Sequence, residues 1–125
     1  MKNTLELLTS TILGLSMIVF GLNKFLGFIA IEPPVDPIAQ QFLGAMFSSY
    51  LAHWVGIFEV IAGILLLIPR TRFLGWLLLL PIIFNIMLFH LAHDFIGNGI
   101  WLVPTLLFLM LAYFQKHAIV NLVSA

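Results

Sequence analysis

The residues able to do chemistry in this chain are few, and most of them sit inside apolar runs. Lys24, Glu59, Asn85, His53 and His90 are each embedded among aliphatic and aromatic side chains. An unpaired charge in such surroundings costs about 3 kcal/mol or more, so it is either matched with a partner or retained for function. Lys24 and Glu59 carry opposite signs, and an ion pair or a water-linked pair would reduce the cost of burying either one. Such a pair would pin the register of two helices, or it would provide a protonatable site that touches a ligand; both readings stand at this level. Asn85 offers a donor and an acceptor, and each histidine ring can do the same. The candidate ligand-binding set is therefore Lys24, Glu59, Asn85, His90 and His53, with no catalytic residue assigned.

The histidines also raise metal and haem. His90 and His93 are three residues apart with Asp94 adjacent, which could bring two imidazoles to one side for a metal. No third ligand is dictated by spacing, so no metal site is assigned. His53 and His90 on facing helices could hold a haem in principle, but nothing else in the sequence points to one. Cysteine is absent, which excludes disulfides, thiolate-held metals and a dithiol relay. Any redox role must work without sulfur chemistry.

Composition decides which solvent surrounds these residues. Of 125 residues, 62% are hydrophobic and only 8% are charged, far too little polar surface to cover a water-soluble domain. The net charge is zero and the basic residues are scattered, so no nucleic-acid partner is expected. The expected fold is all-α: a single integral-membrane domain over residues 1–125, built as a four-helix bundle. Helix one covers about residues 5–29, with apolar character resuming past Asn23 and Lys24 as far as Ile31, and is read as a retained anchor rather than a cleaved signal. A polar segment rich in proline follows, in which Asp36 and Pro37 suit the N-cap and first position of a short helix. That helix keeps Ile38, Phe42, Ala45 and Met46 on one face and Gln41, Gly44 and Ser48 on another, so it is expected to lie along the membrane surface within an outer loop, 30–49.

Helix two spans about 50–68 and stops at the basic turn Pro69–Arg72; helix three spans 73–92. A loop containing His93, Asp94, Gly97, Asn98 and Gly99 leads to helix four, about 100–115, the shortest of the set, which the tail could prolong inward. Orientation follows from charge: with the Arg70 and Arg72 turn inside, Lys2 and Lys116 fall on the same side and only Lys24 lies outside. Tyr50, Trp54 and Trp101 then mark the outer interface, and Trp76 and Tyr113 the inner one. The expected topology is multi-pass, with both termini cytoplasmic. Glu59 falls roughly 13 Å into its helix, close to the midplane, and Asn85 at matching depth. The inner halves of the helices read as almost wholly aliphatic and aromatic, so the polar residues imply a pocket that opens outward. Gly14, Gly21 and Lys24 on helix one, and Ala52, Gly56, Glu59 and Gly63 on helix two, form stripes that could face each other closely.

The stretch Gly21-Leu22-Asn23-Lys24-Phe25 resembles the glycine-then-lysine signature of the DoxX-like family. Glu59 followed by Gly63, then Pro81, Asn85 and His90, is similar to the second and third helices of that family, and the likeness extends over essentially the whole chain. The resemblance implies a small four-helix protein of bacterial inner membranes, some of whose relatives are associated with quinone-linked oxidoreductases or oxidative-stress systems. Two function classes follow. In the first, the chain is a membrane subunit or accessory of such a redox system and its pocket accepts a quinone head group or a proton; it is not expected to be catalytic on its own, since any electron carrier would come from a partner. In the second, it is a non-enzymatic bundle that binds a small amphiphile or assists assembly of another membrane protein. The expected surroundings are the lipid bilayer, with a membrane-protein partner or further copies of the chain.

Overall fold

The computed structural model describes residues 2–30, 32–95 and 99–124, without the side chain of Lys2. Ile31, Gly97 and Asn98, placed above in the first run and the last loop, lie outside the described residues, as does the Lys2 side chain used in the charge count. Every regular element among the described residues is helical: α1 Lys2–Leu26, α2 Pro37–Ser48, α3 Leu51–Leu67, a 3-10 turn Pro69–Thr71, α4 Arg72–His93, α5 Leu102–Phe114 and α6 Lys116–Ser124. Two helices, Asn3–Leu26 and Pro69–His93, are long and apolar enough to cross a membrane, and there are up to four spans if α2 with α3, and α5 with α6, each count as one bent span.

Packing follows the 3.6-residue period of each helix. On α3 the buried positions Ala52, Gly56, Glu59, Gly63 and Leu66 step by four and three, which keeps one stripe inward. On α4 they are Arg72, Gly75, Trp76, Leu79 and Ile83. α1 packs against α3 and α5, and α4 packs against the same two. The core between them holds Leu13, Met17, Ala62, Leu66, Leu79, Ile83 and Leu111 around the stacked rings of Trp76 and Phe108. These two rings lie 4.7 Å apart and nearly parallel. The buried indole N–H of Trp76 donates to the Phe108 carbonyl at 3.1 Å, which removes the cost of hiding a polar hydrogen. Outside this core the surface is apolar: Leu8, Leu15 and Leu22 on α1, Phe84, Leu88 and Leu91 on α4, and Leu106 and Leu109 on α5 are all exposed. A surface of that kind is matched to lipid rather than to water.

Two expectations are corrected. Helix one ends at Leu26 rather than near residue 29. Gly27 takes the left-handed conformation, φ 61°, and its N–H returns to the Asn23 carbonyl at 2.9 Å, a glycine-terminated helix end. The Asn23 side chain then exchanges two hydrogen bonds with the backbone of Ile29, at 2.7 and 3.1 Å, folding the chain back on itself. α2 starts where the sequence implies: Asp36 caps it by accepting from the Ala39 N–H at 3.0 Å, with Pro37 opening the helix; Ala39, Leu43 and Met46 are covered by the bundle, and Ile38, Phe42 and Ala45 are exposed. Proline and the cap fix the start of α2, and the 79° bend into α3 then decides which side meets the bundle. Second, the tail does not prolong α5 in line: α5 stops at Phe114 and α6 leaves it at 71°.

Candidate functional site

The site begins with the contact between α1 and α3, which run antiparallel with glycine meeting glycine. A Cβ added to Gly21 would stand 2.6 Å from the Gly56 carbonyl oxygen, and one added to Gly63 would stand 2.5 Å from that of Gly14. Any side chain at these positions would force the helices apart, so the two glycine pairs, seven residues apart on each helix, set the interhelical distance over two turns. Beside the outer pair, the Lys24 stem crosses over Gly56, its Cβ 3.2 Å from where a Gly56 Cβ would be. The Lys24 ammonium donates to Glu59 Oε1 at 2.6 Å. Glu59 is 2% exposed, and the Lys24 side chain is 16% exposed. The pairing expected from depth and small-residue spacing is therefore present as a contact, with the carboxylate inside and the ammonium toward the edge.

Lys24 also borders a depression of about 610 Å³ formed by the end of α1, the following loop and α2. Its polar lining comes from Asn23, Lys24, Glu32 and Gln40, and its apolar lining from Phe25, Leu26, Ile29, Leu43 and Phe47. Gln40 ties α2 to the loop by donating to the Pro34 carbonyl at 2.8 Å. Charge on one wall and aliphatic and aromatic surface on the others suit a molecule with a polar head and an apolar body.

The other candidate residues are not gathered around this pair. His53 is exposed and stacks on the Phe25 ring at 5.0 Å, one residue along from Lys24. His90 lies at the far end of α4, stacked on Trp101 at 4.9 Å, with Nδ1 3.4 Å from both the carbonyl and the carboxylate of Asp94. It joins the end of α4 to the start of α5. Asn85 is exposed, on the side of α4 away from Trp76, Leu79 and Ile83. Matching depth did not bring it into the site because rotation about the helix axis, fixed by the buried stripe, points it outward. His93 instead meets Asp36 at 3.5 Å, linking the cap of α2 to α4. No group of three or more potential metal ligands comes together among the described residues.

A second ion pair was not anticipated from the sequence. Arg72 Nη1 donates to Glu6 Oε2 at 2.8 Å, with the Arg72 side chain 9% exposed and that of Glu6 23%. The signal was available: α1 and α4 both start at the same end of the bundle, so opposite charges near their starts, Glu6 and Arg72, can meet. Nearby, Thr9 and Ser10 are buried and return their hydroxyl hydrogens to carbonyls of their own helix, at Leu5 and Leu7, which spares them any need for a partner helix.

No family model matches this chain, and no solved structure matches it. It is similar to an uncharacterized protein, YwoB, of Bacillus subtilis (strain 168), with 34% identity over 91 residues, which is 66% of this chain and 58% of the relative. The chain thus spans less than two thirds of the length of that relative.

Proposed function

We propose that the chain is a multi-pass membrane protein of the DoxX-like kind, in which α1, α3, α4 and α5 cross the bilayer as a four-helix bundle. In this reading α2 lies in the outer interface, both termini are cytoplasmic, and the inner membrane is its location. Its function is to present an outward-facing polar site, centred on Lys24 and Glu59, to the head group of a quinone as a subunit or accessory of a redox system. The observation that carries this reading is the position of Lys24, which is paired with a buried carboxylate on one side and borders an open, mostly apolar depression on the other. Glu59 orients the ammonium by accepting one of its hydrogens, and the ammonium is left with two hydrogens to give. Asn23 and Gln40 add polar groups at the rim, and Phe25, Leu43 and Phe47 offer flat and aliphatic surface to an apolar tail. The residues present therefore fit a quinone, which would supply two-electron, two-proton chemistry when bound. The role of the chain is to bind and orient the head group and to hold a proton at Lys24 Nζ.

A second reading, a non-enzymatic bundle that takes up a small amphiphile, is favoured by the apolar share of the same lining. One experiment separates them. The protein is extracted with its surrounding native lipid, and the bound small molecules are identified by mass spectrometry. Quinone enriched over the bulk membrane, and lost in Lys24→Met, supports the redox reading. A different amphiphile enriched in its place supports the second, and no enrichment of any lipid contradicts both.

A further inference from the structure

We infer that α4 is the contact face of a homodimer, in which Asn85 hydrogen-bonds to its own counterpart in a second copy of this chain. Leu74, Pro81, Asn85, Leu88 and Ala92 are all exposed and recur at seven-, four- and three-residue steps, one continuous stripe along the helix. The buried line of the same helix, Gly75, Trp76, Leu79 and Ile83, lies on the opposite side. Asn85 is eight residues short of His93, the end of α4, so it stands about 12 Å below that end, inside a hydrocarbon core about 30 Å thick. The side chain forms no hydrogen bond among the described residues, and lipid tails can supply none. On α1, Thr9, Ser10 and Asn23 are each satisfied within their own segment; Asn85 has no such outlet.

The partner follows from symmetry. Copies of a membrane protein share one orientation, so two of them associate about an axis along the membrane normal, and each residue on the seam meets itself at the same depth. A lone charge there would repel its counterpart. A carboxamide, with donor and acceptor on one group, is complementary to itself, and a single polar residue in an apolar heptad seam fixes two helices in register. The inference rests on the proposed spanning of the bilayer by α4.

The absence of cysteine makes the test direct. Leu88→Cys and Leu74→Cys place single thiols on the seam, and Leu15→Cys places one on the exposed side of α1. Membranes from cells producing each variant are treated with a mild oxidant and resolved by mass. The expected result is a species of twice the chain mass for Leu88→Cys and Leu74→Cys and little for Leu15→Cys. Adding Asn85→Leu to Leu88→Cys should weaken association about three-fold to thirty-fold, the range of measured interhelical hydrogen bonds in membranes, whereas Asn85→Gln should retain most of it. Monomer throughout, a cross-link to a chain of another mass, or a dimer indifferent to Asn85→Leu would overturn the homodimer. A chain that does not sediment with membranes would overturn the spanning reading instead, so the two failures are distinguishable.

Discussion

The Lys24 and Glu59 pair shows how little sequence is needed to build a buried charge. One glycine, Gly56, lets the lysine stem cross the neighbouring helix, and the carboxylate one turn further along receives the ammonium at 2.6 Å. Removing one member of such a pair strands the other, which is more damaging than removing both. Glu59→Gln is therefore expected to destabilise the bundle by about 3 kcal/mol, less whatever Lys24 recovers by reaching for the interface, as read by thermal unfolding in lipid particles. The Glu6 and Arg72 pair obeys the same rule: Glu6→Gln leaves the buried guanidinium alone and should lower the midpoint, whereas Arg70→Gln, on an exposed side chain, should leave it within error.

Element boundaries follow from local chemistry that can be read from particular residues. Asp36 and Pro37 announce the start of α2, and the cap is formed as the sequence implies. The stop of α1 is equally local, since Gly27 adopts a conformation that other residues reach only at about 1 kcal/mol or more. Nothing lies within 4 Å of its missing side chain, so Gly27→Ala should cost that strain alone, and Gly27→Asn, which tolerates the left-handed region better, should cost less; both are measurable as shifts in thermal midpoint. At Gly63 the obstacle is the Gly14 carbonyl rather than the dihedral angle, so Gly63→Val should separate α1 from α3 and break the Lys24 contact as well. The small-residue stripes and the opposed charges made this helix pair legible from sequence. The direction of Asn85 was not, because depth along a helix is readable from sequence position while rotation depends on which of several apolar stripes wins burial. The bend at Gln115 carried no proline or glycine to announce it.

At the scale of the whole molecule, the apolar exterior and interior differ less in composition than in shape. What distinguishes the core is the stacking of Trp76 on Phe108 and the glycine contacts, while the exterior bears unpacked leucine and phenylalanine. In the proposed topology the short lengths of α3 and α5, about 25 and 20 Å, would be met by a locally thin bilayer or by a flanking contribution from α2 and α6. Single cysteines labelled by a membrane-impermeant thiol reagent check the proposed topology: Ser49→Cys should react from outside intact cells, and Ser124→Cys only after the membrane is opened. In the proposed function the buried pair serves a ligand and does more than hold two helices together. That role is tested most directly by the double variant Lys24→Met with Glu59→Leu, assayed for binding of a short-chain quinone in lipid particles. Removing both charges should restore most of the stability lost in Glu59→Gln, so the expected result is a folded protein whose quinone affinity has fallen at least ten-fold. A folded double variant that binds quinone as tightly as the unaltered chain would contradict it.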